Sequence, residues 1–190
     1  MDPATHLAIP LLVLLAARMN PRLVVPLSLF ALFPDIDSLF GIHRQLFHNV
    51  FVTVLIPLAF LLYARARKPS LVLPIAIIMF YLVSHVILDL SGVALLYPFY
   101  DGAFYFIPNL YFYTQPGLRF DLVVEWGVRP LQDDYEYLFI SEAGFVYFFV
   151  LIAVLVIFRT EMKGWISRRI DDAKWVWKKI VGYLRRTKKD

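Results

Sequence analysis

Residues Leu71–Leu90 read LVLPIAIIMFYLVSHVILDL, and no other run in the chain narrows its folding options so far. A bilayer-spanning helix needs about 20 predominantly apolar residues. This run supplies them, and its only acidic or basic side chains, His85 and Asp89, fall in the last turns. The chain is 60% hydrophobic, against roughly 45–50% in a soluble domain, so a membrane is the expected surrounding.

Four further apolar stretches accompany it: Ala8–Ala17, Leu23–Phe33, Val50–Ala64 and Ala143–Phe158. The first two are short and joined by RMNP, which suits a tilted or shallow helical hairpin. Pro10, Pro26, Pro57 and Pro74 are tolerable in membrane helices, where neighbouring groups satisfy the freed carbonyls. The expected fold is an all-α integral membrane protein with about five membrane-embedded helices within residues 1–160. The start, MDPATH, lacks a basic leader region, so the first stretch reads as a retained helix rather than a signal peptide. The absence of cysteine excludes disulfides and a thiolate metal site.

Basic residues set the expected orientation. They cluster at Arg18 and Arg22, at Arg65, Arg67 and Lys68, and from Arg159 to Lys189; only Arg44, Arg119 and Arg129 lie elsewhere. With five segments, that alternation puts the N-terminus outside a multi-pass cell-membrane protein. In the tail, residues 161–190, Ile166, Ile170, Ala173, Trp177, Ile180 and Leu184 form one apolar stripe among Arg168, Arg169, Lys174, Lys178 and Lys179. Such an amphipathic helix lies on the anionic cytoplasmic leaflet, and membrane lipids rather than nucleic acid are its expected partners. Residues 91–142 form an outer, aromatic-rich region that suits an interfacial belt or a lid over a lipid. Within it, Leu110–Thr114 and Leu118–Glu125 around Gln115-Pro116-Gly117 allow a β-hairpin.

All four histidines, His6, His43, His48 and His85, fall at the outer ends of their segments, and Asp35, Asp37 and Asp89 share that level. Ionisable groups beside a bilayer are costly and mark functional sites. In SHVILD, His85 and Asp89 stand four apart, on one helix face one turn apart. In PDID, Asp35 and Asp37 can converge in a turn. Taken singly, these are a structural hydrogen bond and a helix cap. Together they offer enough imidazole and carboxylate for two metals, a mixture suited to zinc, with manganese as the alternative. Two metals activate water and clamp the oxygens of an in-line displacement. Arg44, beside His43, suits bidentate phosphate recognition or an ion pair with Asp35 or Asp37.

These residues carry a resemblance. THLA, FPDIDSLF, HRQLFHN and SHVILDLSGVALLYPF occur in the order and spacing of the YdjM-like family of membrane-bound metal-dependent hydrolases, over residues 4–99. That family's pattern implies His6, Asp35, Asp37, His43, His48, His85 and Asp89 as the metal-binding set. Where the family carries His-Ser, this chain carries His48-Asn49. The motif order is also similar, more distantly, to zinc-dependent phospholipase C and single-strand nucleases. Those enzymes add later histidines and an N-terminal tryptophan, both missing here, so a three-zinc site is not expected.

The expected function is hydrolysis of a phosphate ester, lipid-borne or lipid-linked, at an extracytoplasmic dinuclear site. Asp35, Asp37 and Asp89 serve the metals and the proton, and Arg44 steadies the phosphate. The rivals are a metal transporter or metal-binding protein without chemistry, and a scaffold whose metal only ties loops together. Oligomeric state and substrate identity are not legible.

Overall fold

The computed structural model describes residues 2–40, 44–115, 117–131 and 140–159, together with Lys174 and Trp177. Helix α1 (Pro3–Ala16) opens on Asp2, whose carboxylate accepts from the Thr5 N–H at 3.0 Å and the Thr5 hydroxyl at 2.7 Å. It ends where Arg18 takes a left-handed conformation (φ 57°). Asn20 then caps α2 (Pro21–Leu27), with Pro21 at the first helical position, where its missing N–H costs nothing. The chain tightens into 3-10 segments, Ser28–Leu32 and Pro34–Phe40.

After a connection, a π-helical turn (Phe51–Leu55) leads into α3 (Ile56–Arg67), and α4 (Val72–Leu88) returns. Strands β1 (Ala103–Tyr113) and β2 (Arg119–Arg129) pair antiparallel, and α5 (Glu142–Ile157) follows, capped by Ser141. Ser141 also donates its hydroxyl to the Asp2 carboxylate, so the caps of α1 and α5 are joined.

The expected all-α, five-helix membrane fold is corrected on two counts. Residues 103–129 form a two-stranded antiparallel sheet. Among the described residues, only two helical runs are long and apolar enough to cross a membrane, Pro21–Phe40 and Pro69–Leu88. The others stop short, α1 at 14 residues and α5 at 16. Apolar content alone misled, because it does not register where caps and turns close a helix. The sheet follows from period-two alternation in Ala103–Tyr113 and Arg119–Arg129, over longer strands than the hairpin allowed by sequence. The amphipathic tail, residues 161–190, lies outside the described residues except for Lys174 and Trp177.

The core joins α1, α2, the Ser28–Leu32 turn, α4 and α5 through Ala8, Leu11, Leu15, Val24, Ala31, Ile77, Tyr81 and Leu151. Tyr81 is fully buried and gives its hydroxyl to the Val24 carbonyl at 2.8 Å. That acceptor is available because the Ser28 N–H bonds Val25 instead, as the helix tightens. A buried phenol and a buried carbonyl, each costly alone, are thus satisfied together.

Candidate metal centre

The same economy builds the site. Pro34 has no N–H to offer the Ala31 carbonyl three residues back, where a 3-10 turn would have placed its donor. Nδ1 of His85 takes that place at 2.6 Å. A carbonyl only accepts, so the His85 proton sits on Nδ1 and Nε2 faces inward. His48 repeats the arrangement from another segment: its Nδ1 donates to Asp37 Oδ2 at 2.8 Å. The two Nε2 atoms then meet at 3.0 Å. With both Nδ1 protons committed, two neutral imidazoles would point lone pair at lone pair. The pair needs a cation between them, a proton or a metal ion.

Carboxylates close around this point. Asp35 Oδ1 lies 3.4 Å from His85 Nε2 and 3.8 Å from His48 Nε2; Asp89 Oδ2 lies 3.9 Å and 3.7 Å from the same atoms. One ligand atom from each of Asp35, His48, His85 and Asp89 lies within 4.8 Å of all the others. His48, His85 and Asp89 are fully buried, whereas the Asp35 side chain is 20% exposed. Asp35 Oδ2 has no hydrogen-bond partner among the described residues. A buried carboxylate oxygen with nothing to accept from is costly, and a cation removes that cost.

His6, fully buried on α1, stacks on His85 with ring centroids 3.9 Å apart. Its Nε2 is 3.2 Å from Asp89 Oδ1, while its Nδ1 has no hydrogen-bond partner among the described residues. Asp89 therefore turns one oxygen to His6 and the other to the histidine pair. Burial works against the charged form of Asp89, but the neighbouring His48 and His6 imidazoles outweigh it and hold the carboxyl well below the usual range. Burial likewise opposes protonation of His48; the Asp37 and Asp89 carboxylates outweigh it and raise its pKa. Without a metal, these carboxylates favour a proton on His48.

Of the residues expected from sequence, Asp35, His48, His85 and Asp89 converge, and His6 adjoins them through Asp89. Asp37 stands one layer out: its Oδ2 holds His48 Nδ1 and accepts from the Gln45 N–H at 3.3 Å. It holds the His48 ring and is not one of the four converging residues. Arg44 pairs with neither Asp35 nor Asp37 as an ion-pair partner was expected to; its Nε lies 3.5 Å from Asp89 Oδ2. Its backbone is left-handed (φ 63°), a conformation that costs a non-glycine residue roughly 1–2 kcal/mol. His43 lies outside the described residues.

Two contributors were missed. The Ala31 carbonyl is one, and its signal was the proline three positions later. Asn49 is the other: it accepts from the Val52 N–H at 3.0 Å and donates to the Leu46 carbonyl at 2.7 Å. It braces the turn that carries His48, so the departure from His-Ser serves local structure.

A family model described as the YdjM inner membrane protein matches residues 1–166. No curated protein and no solved structure matches the chain.

Proposed function

The chain belongs to the YdjM inner membrane protein family, and from that premise we propose a membrane-bound metal-dependent hydrolase that cleaves a phosphate ester, lipid-borne or lipid-linked. The observation that carries the reading is the 3.0 Å approach of His48 Nε2 and His85 Nε2, with both Nδ1 protons engaged elsewhere. Imidazole mixed with carboxylate fits zinc or manganese better than calcium or magnesium. His48, His85, Asp35 and Asp89 would hold one ion; His6 and the second oxygen of Asp89 would hold another. Such ions supply Lewis acidity, making water nucleophilic at neutral pH and polarising the phosphoryl group.

The protein's own groups do the rest. Asp37 and the Ala31 carbonyl keep both imidazoles in the tautomer that presents Nε2 inward. Asp35, the one partly open side chain of the four, is placed to take a proton from water. Arg44, also partly open, offers its guanidinium to a phosphate while its Nε stays near Asp89. Arg65 and Arg67 end α3, and His85 lies at the far end of the 17-residue α4. At about 1.5 Å per residue, roughly 25 Å separates the basic turn from the cluster, which favours an extracytoplasmic site and a cytoplasmic tail.

The test is elemental analysis of the full chain purified in detergent, followed by a screen of phosphate esters. His85→Ala and Asp89→Ala should lose metal and hydrolysis together. Full-rate hydrolysis by either variant, or wild-type protein that takes up no divalent metal, overturns the reading. The complete burial of His6, His48, His85 and Asp89 favours one second reading, a closed metal-binding site without catalysis. In that case chelation lowers the melting temperature, and no ester is turned over.

A further inference from the structure

The hairpin carries a surface that the hydrolytic site does not use. In its register Phe104 faces Val128, Phe106 faces Trp126, Pro108 faces Val124, Leu110 faces Leu122 and Phe112 faces Phe120. Side chains alternate across a sheet, so these pairs share one face, and every one is apolar. The opposite face is mixed, setting Tyr105, Asn109, Tyr111, Asp121, Glu125 and Arg129 among Ile107 and Val123. On the apolar face Trp126 is 77% exposed, Leu110 68% and Phe120 62%. A contiguous exposed patch of this kind marks an interaction surface.

We propose that this face seats on the lipid bilayer itself, lying flat at the boundary between headgroups and acyl chains. The chain belongs to a membrane family, and residues 89–102 join the hairpin to the His85 end of α4, which closes the run Pro69–Leu88, one of two among the described residues long and apolar enough to span. Its apolar face runs into a groove of about 530 Å3 lined by Leu90, Leu95, Phe104, Phe106, Val124 and Trp126, so the surface is continuous with the end of that helix. Trp and other aromatic side chains favour this depth. Beyond Phe106, the outer strand edges have no backbone partner among the described residues, and hydrocarbon cannot satisfy those groups, which excludes a deeper position. Strands of 11 residues, at about 3.3 Å each, cover roughly 36 Å of surface.

The root of the hairpin is tied to the segment after Asp89. Phe106 N–H bonds the Leu90 carbonyl at 2.7 Å, Val93 and Phe104 exchange backbone bonds, and Arg129 bonds the Ser91 carbonyl. Seating the hairpin on lipid therefore fixes the depth of the cluster at the headgroup layer.

The chain has no cysteine, so single substitutions report single sites. Leu110→Cys and Leu122→Cys probe the apolar face, and Tyr111→Cys and Asp121→Cys the other. Each full-length variant carries a bimane label in nanodiscs of phosphatidylethanolamine and phosphatidylglycerol with plain or brominated acyl chains. Labels at 110 and 122 should lose about half their fluorescence to bromine and resist aqueous iodide, and labels at 111 and 121 should do the reverse. If a cysteine variant fails to fold, Trp126 fluorescence gives the same reading once Trp165, Trp175 and Trp177 are changed to Phe. Equal iodide quenching on both faces overturns the proposal. Resistance of the apolar face to both quenchers also overturns it, and a Leu122→Cys disulfide dimer would then identify a second copy as the cover.

Discussion

At the scale of single residues, the site depends on which nitrogen of each histidine carries the proton. Asp37 decides this for His48, so Asp37→Asn should leave the ligand count intact but weaken zinc binding about 10- to 100-fold, as measured by competition with a chromophoric chelator. Pro34→Ala restores an N–H able to compete with His85 for the Ala31 carbonyl. It should also weaken zinc binding, though no ligand is touched, and an unchanged affinity would remove the proline from the account. The raised pKa of His48 gives a pH signature. Its folded value lies above the ordinary 6.5, so in metal-stripped protein its stabilising proton is present below 6.5 and lost as pH rises through the raised value. The lowered Asp89 contributes throughout this range, because its share fades only as pH falls below the ordinary 3.8. The melting temperature of stripped protein should therefore fall across neutral to alkaline pH. Zinc affinity should rise over the same interval as the competing proton leaves.

At the scale of elements, Asp2 and Ser141 join two helix starts through one carboxylate. Removing an N-cap costs about 0.5–2 kcal/mol, and Asp2 serves both α1 and the cap of α5. Asp2→Ala should lower the melting temperature in detergent more than Ser141→Ala, which leaves the Thr5 bonds in place. Gly144 lies against the Asp2 carboxylate, where any Cβ would strike it. Gly144→Ala should therefore resemble Asp2→Ala in effect. Hydrogen bonds from Ser141 and Thr5 overcome burial and lower the pKa of Asp2, so its contribution holds above the ordinary 3.8 and fades as pH drops below that value.

At the scale of the whole molecule, the cluster ties α1, the Pro34–Phe40 turn, the segment before α3 and the end of α4 to one point. A ligand that binds only the folded state stabilises it by about 2.7 kcal/mol at 100 times its Kd. Zinc should accordingly raise the melting temperature and chelation reverse it, with His85→Ala insensitive to both. If His85→Ala responds to zinc as fully as the native chain does, the ion binds elsewhere.

Much of this was legible in the amino-acid order. Charged and imidazole groups are expensive beside lipid, so His6, Asp35, Asp37, His43, His48, His85 and Asp89 stood out as a candidate set, of which Asp35, His48, His85 and Asp89 converge. The His85–Asp89 spacing already placed two of them on one helix face, and aromatic alternation around Gln115-Pro116-Gly117 already allowed a hairpin. Other features were not legible. Apolar runs suggested five embedded helices, but caps, left-handed turns and strand pairing decide where helices end. Whether Asp37 grips an ion or a histidine, and whether Arg44 turns to Asp35 or Asp89, depends on contacts across many residues. His85 reaches Ala31 across 54 positions. Hydrophobic periodicity and residue cost are local properties carried by the chain itself. Which carbonyl is left without a donor, and which imidazole arrives to meet it, exists only once the helices are packed.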